Sequence, residues 1–235
     1  MKHTLLIKDW LSSFLSLLFP RCCVVCGRPL AKGEECICTV CNINLPRTNY
    51  HLRKDNPVER LFWGQIPLER ATSFFFYEKG SDFRLILHRL KYGGQKEIGA
   101  IMGRYMAAEL LSSHFFQGID VIIPIPLHKK KQQIRGYNQS EWIARGIAAV
   151  TGIPIDTESI LRKKNTETQT RKSVFERRDN VEGIFELQHP ETLAGKHILI
   201  VDDVLTTGST TLACASCLVN VEGIRISILT LAMVE

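Results

Sequence analysis

No uninterrupted apolar run in this 235-residue sequence approaches the roughly 20 residues that a membrane-spanning helix needs. There is no internal repeat and no low-complexity tract, which sets aside repeat arrays and composition-driven tails. No GxxxxGK[ST] string occurs, so a P-loop is excluded. The opening stretch MKHTLLIKDWLSSFLSLLFP has lysines and an apolar run, as export signals do. Yet Lys8 and Asp9 interrupt that run and no A-x-A cleavage site follows. Leu6, Trp10, Phe14, Leu17 and Leu18 recur at helical spacing instead. They predict an amphipathic helix over residues 1–20, docked on its own domain or, as the alternative, lying on a membrane surface. The expectation is a cytoplasmic protein with no integral membrane segment.

What the chain does have is enough apolar matter for a real core, 45% of its residues, and a formal net charge of +6. The charge is regional. Residues 128–178 carry twelve Lys/Arg against five Asp/Glu, a local excess of seven that exceeds the whole-chain value. Such a segment asks for an anionic partner, a solvated positive face being the plain alternative.

Six of the eight cysteines fall within residues 22–41. Cys23-x2-Cys26 and Cys38-x2-Cys41 form two knuckles separated by eleven residues, with Gly27 easing the first turn. Thiolates at this spacing suit one tetrahedral zinc ion, and so short a segment would hardly fold without metal. Cys22 and Cys36 are extra, so a ligand set using either stays open. Four protein ligands would leave zinc no free position, hence a structural role. Cys214 and Cys217 also make a C-x-x-C, but within an apolar helical stretch, where buried, unreactive thiols are expected.

Four segments follow: the helix 1–20, a Cys-rich module 21–46, a polar connector 47–70 with two prolines, and a domain over 71–235. In the last, strands are predicted at 72–77, 119–126, 196–203 and 225–234, with helices at 81–92, 96–113, 138–152 and 209–220. Residues 153–156 read as a short extended piece and 162–182, polar and aperiodic, as a loop. Apolar strands alternating with helices predict an α/β fold with a mostly parallel sheet covered on both faces.

The densest signal is ILIVDDVLTTGSTT, residues 198–211. An apolar strand ends in two carboxylates, Asp202 and Asp203, and the loop Thr206-Thr207-Gly208-Ser209-Thr210 opens a helix. The carboxyl edge of a parallel sheet is where ligands bind in open α/β folds. Unpaired amides at a helix start, with the helix dipole behind them and a glycine that admits close approach, cradle a phosphate. The acids would repel that phosphate unless they face hydroxyls or a metal. A phosphorylated pentose satisfies both. The plainer alternative is a solvated acid pair ahead of a Ser/Thr helix cap.

This string resembles the phosphoribosyl pyrophosphate (PRPP) motif of type I phosphoribosyltransferases. The resemblance implies that Asp202 and Asp203 hold the ribose 2′ and 3′ hydroxyls, that Thr206, Thr207, Gly208, Ser209 and Thr210 wrap the 5′-phosphate, and that Mg²⁺ accompanies PRPP. PRPP also needs a pyrophosphate site. The stretch 121–141 is the candidate, its loop supplying Lys129, Lys130, Lys131, Arg135 and Gly136. Segment 162–180 resembles the family's mobile catalytic loop, with Arg171, Lys172, Arg177 or Arg178 placed to stabilise the leaving group. The fuller resemblance is to the ComF/GntX family, a type I phosphoribosyltransferase fold with a small N-terminal zinc-binding module. It is carried by LLFPRCCVVCG, CTVC-x3-LP, LKYGG, PIPLHKKKQQIRGYNQSE, NTETQTRKSVFERRDNVEGIF and VDDVLTTGST. It implies a PRPP-binding protein linked to DNA uptake in natural competence, at the inner face of the membrane, with an unknown acceptor. The alternative is a module that senses PRPP or a nucleotide without turnover and binds single-stranded DNA or a competence helicase.

Overall fold

The computed structural model describes residues 20–163 and 183–234. The helix expected over residues 1–20 therefore lies outside the described residues, Pro20 excepted. Four strands, β1 (Leu68–Tyr77), β2 (Val121–Pro124), β5 (His197–Leu205) and β6 (Arg225–Val234), form one sheet in the order β1-β6-β5-β2. All three pairings are parallel. Ile155 adds a single parallel bridge to Ile122 beyond β2. The central strands read as continuous apolar runs because both faces are covered. Leu199 and Val201 enter one core, while Ile198 and Ile200 enter the other.

The first core lies under α3 (Arg84–Tyr92), α4 (Glu97–Leu110) and α6 (Gln139–Thr151). Helices α4 and α6 meet backbone to backbone. A Cβ at Gly103 would collide with the Ile143 carbonyl, and one at Gly146 with that of Ala100. The second core is closed by α2 (Pro57–Arg60) and α7 (Ser209–Ser216).

The Cys-rich module, which holds the short helix α1 (Thr39–Ile43), shares the first core. Val24, Cys36 and Ile37 are buried with Met102 and Met106 of α4. Arg104 adds hydrogen bonds of 2.5 and 2.6 Å to the two Glu35 oxygens, and Arg47 one of 2.6 Å to Glu109. These ion pairs are partly exposed and each contributes little, so apolar burial does most of the docking. The stretch after the module is tied down as well. Thr48 N–H donates to the Phe74 carbonyl, and Asn56 closes a capping box with Glu59 at the start of α2. Val58 and Phe62 have no exposed surface.

Two segments differ from the sequence expectation. The basic stretch read as a loop contains a seven-residue helix, α5 (Lys129–Arg135), capped by His128 Nδ1 and stopped by Gly136 at φ 78°. Lys, Gln and Arg favour helix once both ends are capped, and that outweighs the charge crowding. Within the predicted 162–182 loop, Arg162 belongs to β3 (Ile160–Arg162), which pairs antiparallel with β4 (Phe185–Leu187). Strands of three residues are too short to show a period of two.

Candidate functional site

The sheet's carboxyl edge gathers the groups of interest. Strand β5 carries Asp202 and Asp203 near its end, and Thr206 to Gly208 lead directly into α7. Gly208 sits at φ 74°, and a Cβ there would lie 3.3 Å from the Phe62 ring. A left-handed backbone and an aromatic ring pressed beneath the loop both require glycine. No side chain caps the start of α7, and the Thr207 and Ser209 hydroxyls bond each other at 2.8 Å. Thr206, Thr207 and Thr210 are exposed. The first amides of α7 thus face outward with hydroxyls around them, a cradle for an anion.

The two acids are held differently. Asp202 Oδ1 accepts from the Ser140 hydroxyl at 2.9 Å and from the Asp203 amide at 2.8 Å. Burial, and then the Asp203 charge, push Asp202 up to about 7 despite those bonds. Asp203 Oδ1 lies 3.0 Å from Lys91 Nζ at the end of α3. Ser140 is in place because Asn138 caps α6 and donates to the Ile125 carbonyl at 3.0 Å, fixing the helix start over β2.

Of the basic residues, Lys129 and Lys130 are exposed in the first turn of α5. Arg135 turns back, with Nη1 2.7 Å from Gln139 Oε1 and its guanidinium 5.4 Å from the Tyr92 ring centroid. Gly136 is the helix stop. Lys131 is partly buried, and burial lowers it below an ordinary lysine. A cavity of about 550 Å³ opens between the β2–α5 turn and the β3/β4 pair, lined by His128, Lys129, Asn138, Glu141, Arg162 and Lys163 among others. Arg171, Lys172, Arg177 and Arg178 lie outside the described residues.

The Sγ atoms of Cys23, Cys26, Cys38 and Cys41 all lie within 4.8 Å of one another. Cys26 and Cys38 are 3.7 Å apart, close to the ~3.8 Å edge of a tetrahedron with Zn–S bonds of about 2.3 Å. The Cys38 amide donates to Cys23 Sγ and the Cys41 amide to Cys38 Sγ. Cys36 points away, against Met102 Sδ at 3.9 Å, and burial pushes its thiol up to about 12. Cys22 is exposed and donates to the Pro20 carbonyl. The geometry therefore separates the four clustered thiols from the two extra ones. Cys214 and Cys217 form no disulfide, and burial raises both thiols, Cys217 to about 11.

Comparison with known proteins shows the family. Residues 139–234 match the phosphoribosyl transferase domain family. The chain is 32% identical to the DNA utilization protein YhgH of Escherichia coli O157:H7 over 209 residues, 83% of this chain and 88% of that protein. The chain belongs to the ComF family of phosphoribosyltransferase-like proteins. Two further relatives are competence protein ComFC of Bacillus subtilis, 26% identical over 216 residues (90% and 83% of the two chains), and competence protein F of Haemophilus influenzae, 32% identical over 130 residues (54% and 57%).

In this ComF-family chain three neighbours of the acids escaped residue-by-residue reading: Ser140, Lys91 and Arg162. The first two lie in strings noticed for other reasons, GYNQSE and LKYGG. Arg162 reads only as the first residue of the basic segment 162–180, not as a neighbour of the acids. Its place beside Asp202 follows from a strand pair invisible to periodicity.

Proposed function

We propose that this protein binds PRPP with Mg²⁺ at the carboxyl edge of β5, and that it serves DNA uptake as a phosphoribosyltransferase-like component. The observation that carries the reading is the adjacency of Asp202 and Asp203 to the open start of α7, on one edge of a parallel sheet. Thr206, Thr207, Gly208, Ser209 and Thr210 take the 5′-phosphate and the two acids take the ribose hydroxyls. Lys129, Lys130, Arg135 and Gly136 border the pyrophosphate, with Arg171, Lys172 and Arg177 acting from the segment that follows β3. Mg²⁺ would neutralise phosphate charge on the ligand, and the two carboxylates are the hard oxygen donors it prefers. Zinc, held by Cys23, Cys26, Cys38 and Cys41, would be structural. The DNA assignment rests on the names of the relatives. A cytoplasmic place, peripheral to the inner membrane face, is part of this proposal; among the described residues no helix is long and apolar enough to cross a membrane.

Calorimetry of Mg²⁺-dependent PRPP binding, wild type against Asp203→Asn, tests this. A loss of at least about 1.5 kcal/mol is expected when the charged acceptor goes. Unchanged affinity would refute the sugar assignment. Pyrophosphate release from PRPP across a panel of bases and amines then separates an enzyme from a sensor.

A second reading, single-stranded DNA binding, has its own observation. Trp142, partly buried, has the Lys96 ammonium 4.8 Å and the Arg145 guanidinium 4.9 Å from its ring centroid. Tyr92, 69% exposed, carries Arg135. Aromatic faces that reach solvent beside cations stack bases without regard to sequence.

A further inference from the structure

The site contains a cation held directly against one of the acids. Lys91 Nζ lies 3.0 Å from Asp203 Oδ1, and the two side chains are only 23% and 13% exposed. Leu90 beside it is fully buried, and its carbonyl accepts from Tyr137 OH at 2.5 Å. Helix α3 then stops abruptly. A Cβ at Gly93 would lie 2.9 Å from the Arg89 carbonyl oxygen, and Gly94 turns at φ 67°. The backbone of Lys91 is therefore fixed at the sheet edge, while its four-carbon stem carries the rotatable bonds that a change of partner needs.

Other cations face the same space. Lys131 is lowered by burial and then by the charges of Arg162, Arg135 and Lys91. Lys91 thus touches Asp203 directly, while Lys131 lies within electrostatic reach of Lys91, Arg135 and Arg162 at mutual cost. Such a gathering is stabilised by an anion of more than one charge. In the ribose reading the Asp203 carboxylate that Lys91 now meets is required elsewhere.

We propose that Lys91 changes partners: it neutralises Asp203 while the sugar site is free, and moves to the pyrophosphate of PRPP when the ribose hydroxyls take Asp203. This rests on the ribose 5-phosphate reading of residues 202–210. No covalent bond forms or breaks in the exchange. Its consequence is coupling. Ribose binding releases a cation for the pyrophosphate, and pyrophosphate binding frees a carboxylate for the ribose, so each half raises affinity for the other. Lys91 is in this sense a positioning residue, acting on Asp203 as well as on the ligand.

The test measures equilibrium binding of three probes, each with Mg²⁺: ribose 5-phosphate, inorganic pyrophosphate and PRPP. The full chain is used as wild type, Lys91→Met and Lys91→Arg. Lys91→Met should weaken pyrophosphate and PRPP by at least about tenfold, the loss expected for one charge-assisted hydrogen bond. Ribose 5-phosphate should bind the same variant as well as wild type or more tightly, since Asp203 is already released. Lys91→Arg should recover most of the pyrophosphate affinity, which also shows that the position tolerates replacement. Two outcomes overturn the proposal while leaving the ribose site intact. One is Lys91→Met binding pyrophosphate and PRPP within about twofold of wild type. The other is equal loss of all three probes, which would make Lys91 a support for Asp203 alone. If the wild type binds none of the three, the ribose reading falls and the exchange falls with it.

Discussion

The hydroxyl of Ser140, in the first turn of α6, donates to Asp202 Oδ1 across 2.9 Å, joining the edge of one helix to the end of a central strand 62 residues away. Asp202 is already pushed up to about 7 by burial and by Asp203. The Ser140 bond favours the charged form and holds that rise in check. Ser140→Ala should therefore keep Asp202 protonated to higher pH. Carboxyl-carbon NMR titration of wild type and variant would show it, and an unmoved or lowered midpoint would contradict the bond.

The same residue makes stability depend on pH in a defined sense. Its folded value, about 7, stands above the unfolded 3.8, so the folded state binds the proton more tightly. The Asp202 contribution is without penalty below about pH 4; the penalty builds as pH rises from there and is complete once pH has passed through about 7. Asp202→Asn should consequently be more stable than wild type at pH 8, by on the order of 1–3 kcal/mol, with the difference vanishing near pH 4. Paired urea titrations at the two pH values measure it. The variant should gain stability while losing affinity for PRPP.

Gly208→Ala places a Cβ in the left-handed region, 3.3 Å from the Phe62 ring. A cost of about 1–3 kcal/mol is expected from the backbone alone. Phosphate-dependent binding should fall with it, because the first amides of α7 would turn. Adding Phe62→Leu would relieve the contact and leave the dihedral strain. Ribose 5-phosphate binding of the single and double variants should thus show only partial recovery, while in denaturation Phe62→Leu adds the cost of truncating a side chain with no exposed surface.

Metal analysis of the purified chain should find one zinc per molecule. Cys23→Ser or Cys41→Ser should lose it, and Cys22→Ser should keep it, since Cys22 stands apart from the four clustered thiols. Chelation should lower Tm by roughly 6–12 °C, equivalent to about 3 kcal/mol in a chain of this size. The effect should reach the whole domain, because the module's apolar residues belong to the same core as α4.

If the cation-flanked rings meet single-stranded DNA, Trp142→Ala should weaken binding of an oligothymidylate by about 1–3 kcal/mol with little change in salt dependence. Arg145→Ala should reduce the salt slope by about one. Fluorescence anisotropy over a salt series distinguishes the two. A Trp142→Ala variant that binds as wild type would remove this face from consideration.

What one stretch of chain could decide alone was legible before folding. The apolar run 198–201, the acids 202–203 and the Thr-Gly-Ser loop specify strand, edge and cradle within fourteen residues, since all their physics is local. The double C-x-x-C likewise announced a thiolate cluster. Tertiary structure alone decided which groups face those local features. Ser140 meets Asp202 only because α6 packs on β2 and β5. Lys91 meets Asp203 only because two glycines end α3 at the sheet edge. Cys36 is separated from its neighbours by its fit against Met102. Periodicity and spacing describe a chain's preferences along itself. Contacts between residues 62 and 112 positions apart depend on how whole elements pack, which no local pattern encodes.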